Sequence, residues 1–337
     1  MRKVGILGGS FDPIHEGHLY IAKAVKKQLA LNEIWFMPTF QAPLKNEHAV
    51  SFGHRVNMIK LAIKPYRYMQ VSTLEASLPT PSYTINTVSL LKRKYPHLDF
   101  YWIIGDDQLA SLDSWHQHEA LVQMVQFVVV SRAEKAIKSN FLKVEIKPHP
   151  ASSTKIKEGD FTYLPYSVNQ YINNNVLYYL DFLKNFISEK RYLHSLKVAE
   201  FAVKLARKYN VNLNQALLAG YLHDFGKEVP EATLYLYMQH YFPELLETPK
   251  SLWHSYVGSI LVKEKFRVVD KDVLLAIKHH TDGKSKRLLS LIIYCADKVE
   301  DTRPYPVTDL QELCLENINL GKEVIESIVL EKIKEQH

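Results

Sequence analysis

Residues 4–19 read VGILGGSFDPIHEGHL, and they decide the fold of the first half of this 337-residue chain. An apolar run of strand character leads through the glycine pair Gly8 and Gly9 into a pattern typical of a helix. A strand, a glycine turn and a helix start place free backbone N–H groups and the positive end of a helix dipole where an anion can dock. His15 and His18 project into the same pocket. The stretch therefore predicts a nucleotide site, with a triphosphate as its natural ligand.

Beyond this stretch, as far as about residue 175, runs of strand character alternate with runs of helical period. This alternation predicts a doubly wound α/β domain, a parallel sheet with helices on both faces whose ligands bind beyond the carboxyl ends of the strands. Gly8 and Gly105 both lie at such predicted ends. The predicted strands are 4–7, 33–37, 100–104 and 127–130, and the predicted helices are 18–29, 52–63 and 84–94.

From about residue 177 the strand signals stop and helical periods take over, which predicts an all-α second domain. The chain length also favours two domains, which we place at 1–180 and 181–337. No linker rich in Pro, Gly or Ser separates them, so we expect a helical, fairly stiff junction. The predicted helices of the second domain are 191–209, 213–222, 253–265, 272–279 and 288–301.

The composition is that of an ordinary globular protein, with 47% apolar and 23% charged residues. The net charge of +6 is spread along the chain, which fits phosphorylated substrates at least as well as nucleic acid, and we expect no nucleic-acid partner. Cys295 and Cys314 are the only cysteines, so a reducing compartment is expected. With no signal segment and no run of about 18 apolar residues, we expect a cytoplasmic protein without a membrane partner. The oligomeric state stays open, a homo-oligomer included.

Residues 15–18, HEGH, resemble the T/H-x-G-H signature of nucleotidylyltransferases, which binds the phosphates of a nucleoside triphosphate during adenylyl transfer. Further segments narrow the resemblance, over about residues 1–180, to bacterial nicotinate-nucleotide adenylyltransferases. It implies transfer of an adenylyl group from ATP to nicotinate mononucleotide, with Mg²⁺ at the site and deamido-NAD and pyrophosphate as products. The segments that carry it are MPTFQAPLK (37–45), SYTINT (82–87), IGDD (104–107), Trp115 and SSTKIK (152–157).

The resemblance also implies roles for four basic residues. The mononucleotide phosphate attacks the α-phosphorus of ATP in line, so the protein has only to position two anions and neutralise developing charge. His15 and His18 would donate hydrogen bonds to the α- and β-phosphates, and Lys45 and Lys157 would stabilise the leaving pyrophosphate. The family pattern has arginine where Lys157 stands, and lysine keeps the charge but loses bidentate geometry.

Other residues are predicted to hold the substrates. Thr84 and backbone groups near it would bind the nicotinate carboxylate, and Trp115 would stack on the pyridine ring. The alternatives are that Trp115 packs in the core, that Thr84 is an ordinary helix N-cap residue and that Ser152 and Ser153 form a capping run. The remaining substrate-binding candidates are Gly8, Gly9, Ser10, Phe11, Gly105, Asp106, Ser152, Ser153 and Thr154.

In the second half, His223 and Asp224 follow the apolar helical run 216–222. An adjacent His and Asp at a helix end can reach one metal ion, because imidazole nitrogen and carboxylate oxygen are both metal ligands. Further histidines and an aspartate lie upstream and downstream. The candidate metal ligands, in chain order, are His194, His223, Asp224, His254, His280 and Asp297.

This order resembles the HD phosphohydrolase superfamily in its two-metal form. Three segments, LHD (222–224), AIKHHT (276–281) and ADK (296–298), look more closely like the bacterial HD hydrolases that split diadenosine tetraphosphate symmetrically into two ADP. The resemblance covers about residues 185–320. It implies two divalent metals, iron in the first place, with manganese or cobalt as alternatives.

In that resemblance Asp224 bridges the two metals, and a bound water attacks phosphorus in line. His194, His223 and Asp297 would complete one metal, and His254 and His280 the other. Lys227, counted with Asp224 as catalytic, and Arg303 would contact the polyphosphate. His279 competes with His280, which is preferred because Thr281 follows it as in the family.

Alternatives remain for both halves. The first could make dephospho-coenzyme A or a cytidylyl product, against which Tyr83, Thr84 and Trp115 argue, or could prefer nicotinamide mononucleotide. The second could be another HD nucleotidase, or a non-catalytic binding or oligomerisation module. The full set of six candidate ligands argues against the module.

Overall fold

The computed structural model of the protein describes residues 1–41, 50–131, 141–303 and 305–335. The chain separates into two units. The first comprises Met1–Ile156 and Thr162–Val168, and the second comprises Lys157–Phe161 and Asn169–His337.

The first unit contains a six-stranded sheet in which all the described strand pairs are parallel. The strand order is β3-β2-β1-β4-β5-β6, so the direction in which strands are added reverses between β1 and β4. Sheets of this kind bind ligands beyond the carboxyl ends of the strands at that switch point. The strands are β1 (Arg2–Gly9), β2 (Glu33–Pro38), β3 (Met69–Val71), β4 (Leu98–Gly105), β5 (Gln126–Ser131) and β6 (Leu142–Glu145).

Helices flank this sheet, and the predicted doubly wound α/β fold is confirmed. Strand β5 is buried along all but its first residue, as expected for a parallel strand covered on both faces. The helices are α1 (Glu16–Gln28), α2 (Phe52–Ile63), α3 (Thr84–Lys94), α4 (Asp106–Leu109) and α5 (His118–Met124), followed by α6 (Ser153–Lys157) and α7 (Tyr166–Asn175), which lie where the two units meet along the chain.

Two of the six strands were not predicted. Strands β3 and β6 have three and four residues and lie at the two edges of the sheet. Of the residues in β6, only Val144 is buried. Such short, mostly exposed strands carry almost no apolar pattern, so tertiary pairing rather than local sequence forms them.

The described part of the second unit is all helical, which confirms the predicted class. Helix α14 is buried on nearly every side, and it carries Asp297 near its carboxyl end. A helix that is apolar all round belongs at the centre of a domain. The helices are α8 (Tyr179–Phe186), α9 (Glu189–Lys208), α10 (Leu213–Leu222), α11 (Glu231–Tyr241), α12 (Trp253–Phe266), α13 (Lys271–Lys278), α14 (Leu288–Val299), α15 (Thr308–Glu316) and α16 (Ile318–Glu335).

Cys295 and Cys314 are both buried free thiols of this unit. Within the described ranges, the chain has no helix with both the length and the apolarity that crossing a bilayer requires.

Candidate active sites

The segment between β1 and α1 brings His15 and His18 together, beside the half-buried Gly8 and Gly9 that end the strand. His15 is the N-cap residue of α1, and the two imidazole rings stack with their centroids 3.8 Å apart. The backbone N–H of His15 donates a hydrogen bond to His18 Nδ1 at 3.3 Å. Because a neutral imidazole that accepts at one nitrogen carries its proton on the other, His18 Nε2 is a donor. This helix start therefore offers an anion both a dipole and an N–H group.

Two buried side chains support this loop. The Phe11 ring is 1% exposed and meets the His18 ring edge-on at 5.0 Å, so any substrate contact of Phe11 falls to its backbone. Arg55 of α2 is equally buried, and its Nη1 donates to the carbonyl of Ser10 at 2.7 Å. Sequence analysis missed Arg55. The sequence feature that could have revealed it is a single arginine on the otherwise apolar, buried face of α2, beside residues such as Met58.

The end of β4 lies beside β1 at the switch point. Gly105 ends the strand and caps α4, and the Asp106 carboxylate accepts a hydrogen bond from the N–H of Asp107 at 3.1 Å. Trp115 is half-buried, packs against the sheet core and meets the Phe127 ring edge-on at 6.5 Å between centroids. The geometry thus gives Trp115 a packing contact while part of its surface stays exposed.

The segment that contains Thr84 lies beside the loop that follows β2. The N–H of Ser82 donates to the carbonyl of Gln41 at 2.9 Å. Thr84 is the first residue of α3, and the N-cap position belongs to Tyr83, so the alternative of Thr84 as an N-cap residue does not apply. Lys45, predicted to stabilise pyrophosphate, lies outside the described residues.

The hydroxyl-rich loop that leads into α6 is joined to the loop after β1. Ser153 Oγ donates to the carbonyl of Pro13 at 3.0 Å, which brings this second predicted phosphate loop towards the start of α1. Lys157 ends α6 and belongs to the second unit, where its Nζ lies 6.0 Å from the centroid of the Tyr178 ring. The other hydroxyl residues of the loop are Ser152, half-buried, and Thr154, exposed.

A buried carboxyl group that the sequence analysis missed lies behind these loops. Glu75 is 6% exposed, and its Oε2 accepts a hydrogen bond from the N–H of Phe40 at 3.2 Å. Burial raises the pKa of Glu75 to about 7, although hydrogen bonds from Phe40, Ser82 and Thr87 and the charge of Arg55 oppose the rise. Glu75 therefore ties together the loop after β2 and the segment before α3.

In the second unit the Asp224 carboxylate lies at the centre of four histidines. Asp224 is the second residue after α10, following His223, and is 7% exposed. Asp297 of α14 joins one side of the cluster, with Oδ1 3.2 Å from His194 Nε2. All six side chains that the sequence analysis selected as ligands therefore lie together. The distances from the Asp224 oxygens to the histidine Nε2 atoms are 3.2 Å for His280, 3.4 Å for His254, 3.6 Å for His223 and 3.7 Å for His194.

These side chains form two overlapping groups. In each group the potential ligand atoms lie within 4.8 Å of one another, and Asp224 belongs to both. A carboxylate shared in this way could serve as a ligand to both of two ions. Of the two competing histidines, His280 reaches Asp224, whereas His279 Nδ1 pairs with Asp282 at 2.9 Å. The groups are His194, His223 and Asp224, and Asp224, His254 and His280.

Two glycines allow the helices to approach closely enough to form the cluster. A Cβ at Gly220 of α10 would lie 2.6 Å from the Cα of Ala199, so α10 can pack against α9 only with glycine there. A Cβ at Gly226 would collide with the carbonyl of His254. The glycine that follows the His-Asp pair therefore lets α12 bring His254 to Asp224.

Hydrogen bonds at Nδ1 orient three of the histidines. In a neutral ring, donation from Nδ1 leaves the lone pair on Nε2, the atom that faces Asp224, and such bonds commonly orient metal-binding histidines. Burial lowers the pKa of His223 to about 3, so this ring is neutral. The acceptors are the carbonyl of Gly220 for His223 at 2.8 Å, the carbonyl of Ile277 for His280 at 2.7 Å and Glu300 Oε1 for His194 at 3.2 Å.

The histidine pairs fit divalent metals. The Nε2 atoms of His194 and His223 face each other at 3.2 Å, and those of His254 and His280 at 3.3 Å. When both rings of a pair are neutral and carry their protons on Nδ1, the two Nε2 atoms are close enough to ligate one cation together. Imidazole nitrogen with carboxylate oxygen suits iron, manganese, cobalt or zinc.

Basic side chains neutralise the two aspartates. Lys227 Nζ donates to Asp224 Oδ2 at 2.8 Å, and Arg303 Nη2 donates to Asp297 Oδ1 at 2.7 Å. Burial alone would raise the pKa of Asp297, but neighbours led by the Lys298 charge hold it well below its usual value. Lys298 Nζ donates to Asp297 Oδ2 at 2.6 Å. Lys227 and Arg303 were predicted beside this site, whereas Lys298 and the buried Glu300 were missed.

Known protein families match the two parts of the chain separately, one for each candidate site. The Cytidylyltransferase-like family model matches residues 6–159, and the HD domain model matches residues 191–302. The histidine pair at the start of α1 lies within the first match, and the six clustered ligands lie within the second.

Individual relatives cover one or both parts. A probable nicotinate-nucleotide adenylyltransferase/Ap4A hydrolase of Mycoplasma genitalium is 36% identical over 313 residues, which are 90% of this chain and 88% of that protein. The nicotinate-nucleotide adenylyltransferase of Bacillus subtilis is 38% identical over 188 residues, 53% of this chain and 99% of its own length. A solved structure of a predicted HD superfamily hydrolase involved in NAD metabolism from Clostridium acetobutylicum has 32% identity and a TM-score of 0.44, covering 47% of this chain and 86% of that one.

Proposed function

Because the chain belongs to the family of two-part proteins that join a cytidylyltransferase-like domain to an HD domain, we propose that it is a bifunctional enzyme. The first part would transfer an adenylyl group from ATP to nicotinate mononucleotide, giving deamido-NAD and pyrophosphate. The second would hydrolyse diadenosine tetraphosphate symmetrically to two ADP. The family resemblance predicted from the motifs is confirmed, and the proposed boundary near residue 180 lies between the two family matches.

The observation that supports adenylyl transfer is the stacked His15/His18 pair at the start of α1. His18 Nε2 and the N-terminal N–H groups of α1 would donate to the ATP phosphates and stabilise charge as the α-phosphorus is attacked. Ser153 would add hydrogen-bonding capacity from the neighbouring loop. Mg²⁺, when bound, would neutralise the leaving pyrophosphate, and Lys45 and Lys157 are proposed to assist it.

The observation that supports hydrolysis is the position of Asp224 between two histidine pairs. His194, His223 and Asp297 would hold one ion, and His254 and His280 the other, with Asp224 in both. Two divalent ions, proposed to be iron with manganese or cobalt as substitutes, would supply a nucleophilic water and polarise a phosphate oxygen. Once ions neutralise the aspartates, Lys227 and Arg303 would be released to bind the polyphosphate.

One assay with the full chain tests both proposals. The purified protein is offered ATP with nicotinate or nicotinamide mononucleotide, and separately diadenosine tetraphosphate with iron, manganese or cobalt. We expect deamido-NAD as the favoured dinucleotide, and ADP as the sole nucleotide product of hydrolysis. A preference for nicotinamide mononucleotide would correct the first substrate. AMP with ATP would refute symmetrical cleavage, and intact tetraphosphate with every metal would favour another nucleotidase or a non-catalytic module.

A further inference from the structure

Residues 254–256 of α12 lie beside residues 280–282, which follow α13, and each residue contacts the one 26 positions later. The first pair consists of two proposed ligands of one metal, and the next two pairs are hydrogen bonds. We call these six residues the paired segments. Their contacts are His254 Nε2 to His280 Nε2 at 3.3 Å, Ser255 Oγ to Thr281 Oγ1 at 2.8 Å and Tyr256 Oη to Asp282 Oδ2 at 2.6 Å.

Asp282 is held more firmly than a lone carboxylate would be. Its side chain is 3% exposed, and Oδ1 accepts hydrogen bonds from His279 Nδ1 at 2.9 Å and from the N–H of Lys284 at 3.1 Å. The Tyr256 hydroxyl occupies the other oxygen. The contact between Tyr256 and Asp282 is thus a short hydrogen bond to a buried carboxylate that two further hydrogen bonds hold in place.

This contact lies two residues from each histidine of one proposed metal position. His254 and His280 come from different segments, so the spacing of their Nε2 atoms depends on how α12 meets the chain after α13. The bond from His280 Nδ1 to the carbonyl of Ile277 fixes the ring within its own segment but not against α12. Metal–ligand distances must be right to within about 0.2 Å for a site to bind well. Further contacts must therefore hold α12 and the residues after α13 at a fixed spacing.

We propose that Tyr256 and Asp282 are positioning residues that set the spacing of His254 and His280, and thereby the affinity of one of the two metal positions. This inference rests on the proposed metal-dependent hydrolase. Neither residue needs to touch metal or substrate. Their effect is therefore confined to one ion, and the position formed by His194 and His223 keeps its affinity.

The chain offers a matched control for the test. Tyr237 Oη donates to Glu264 Oε2 at 2.9 Å, so it makes the same type of tyrosine–carboxylate bond between α11 and α12. In α12, Glu264 lies ten residues from the proposed ligand His254. Tyr237→Phe and Tyr256→Phe each remove one hydroxyl from one such bond, and only the second alters the paired segments.

The experiment is a titration of the full metal-free chain with Mn²⁺ alone, followed by equilibrium dialysis. We expect two ions per chain in the wild type and in Tyr237→Phe. In Tyr256→Phe we expect one ion at unchanged affinity and the second weakened by about 10- to 100-fold, the range typical of losing a group that orients a metal ligand. Hydrolysis should fall at low Mn²⁺ and recover at high Mn²⁺, a rescue that a general loss of structure would not give.

Asp282→Asn provides the second variant, and unchanged affinity for the other ion reports that the second unit is folded. Selective weakening of one ion in both Tyr256→Phe and Asp282→Asn supports the proposal. Two ions at wild-type affinity in both variants overturn it, and so does equal weakening of both ions. A wild type that binds fewer than two ions refutes the proposed metal centre itself, and the inference falls with it.

Discussion

The two candidate sites differ in what they are made of. At the first, a helix start, strand ends and loops surround the switch point of a sheet, and several predicted contacts are half-buried or exposed. At the second, four histidines from helices or the residues that follow them lie 3.2 to 3.7 Å from the Asp224 oxygens, and Asp297 joins one side of the cluster. The first site presents loops and backbone groups to its substrates, whereas the second is a buried cluster of side chains that could hold metal ions.

The largest effect should come from removing the group that both metal positions share. Asp224→Ala should reduce bound metal from two ions to none and hydrolysis to below detection, since each ion loses a ligand. Adenylyl transfer should stay within twofold of wild type, because the first site belongs to another unit. Metal analysis and product assays on one preparation measure both. Asp309→Ala, which changes an exposed carboxylate of the same unit, is the control, and residual two-metal binding in Asp224→Ala would refute bridging.

The converse change should inactivate the other site alone. His18→Ala should lower kcat/KM for adenylyl transfer by about 10²-fold or more, since loss of one fixed donor to developing charge typically costs about 3–4 kcal/mol. Hydrolysis and metal content should not change. His97→Ala serves as the control, because His97 is an exposed histidine of the same unit. Activity of His18→Ala within threefold of wild type would exclude the proposed role.

A smaller effect distinguishes whether Trp115 packs in the core or binds the pyridine ring of the substrate. If it stacks on the pyridine ring, Trp115→Ala should raise KM for the mononucleotide several-fold more than KM for ATP. If its contact with Phe127 is what matters, the variant should lose thermal stability with little change in the ratio of the two KM values. Steady-state kinetics with each substrate varied, together with a melting curve, distinguish the two.

The smallest effect concerns stability and pH at Glu75. Since burial raises its pKa from 4.5 to about 7, the folded chain keeps a proton that the unfolded chain releases. The contribution of Glu75 to stability should therefore be greatest below pH 4.5, fall as pH rises to about 7 and then level off. Glu75→Gln should remove this loss and be more stable than wild type by about 1–3 kcal/mol at pH 8, with little difference at pH 4.5. Denaturant unfolding at both pH values measures it. Glu119→Gln is the exposed control, and parallel pH curves for Glu75→Gln and wild type would contradict the prediction.

The sequence predicts the long secondary-structure elements of both units better than it predicts the short ones. Long periodic elements such as β5 and α14 follow from local pattern, because burial on both faces imposes near-continuous apolar runs. The short edge strands β3 and β6 do not. The six ligands could be selected because histidine and aspartate in a fixed order are rare by chance.

The partners of those ligands could not be selected, since nothing local distinguishes them. Glu300 contacts His194, which lies on a helix far from it in the sequence. Arg55 of α2 contacts the loop after β1, which is also distant in the sequence. From the sequence alone Asp282 is an ordinary turn residue, and only the structure reveals its hydrogen bond with Tyr256. Each is defined by a tertiary contact across many residues, and no spacing rule covers such pairs.

Gly226 has a consequence for how natural variation in such proteins should be interpreted. A side chain there would strike the His254 carbonyl, so selection would keep glycine at this position whatever metal or phosphate ester the site handled. Invariance at position 226 would then record a steric constraint inherited with the backbone, right beside residues retained for their chemistry. A lineage that abandoned hydrolysis could lose its histidines long before it lost that glycine.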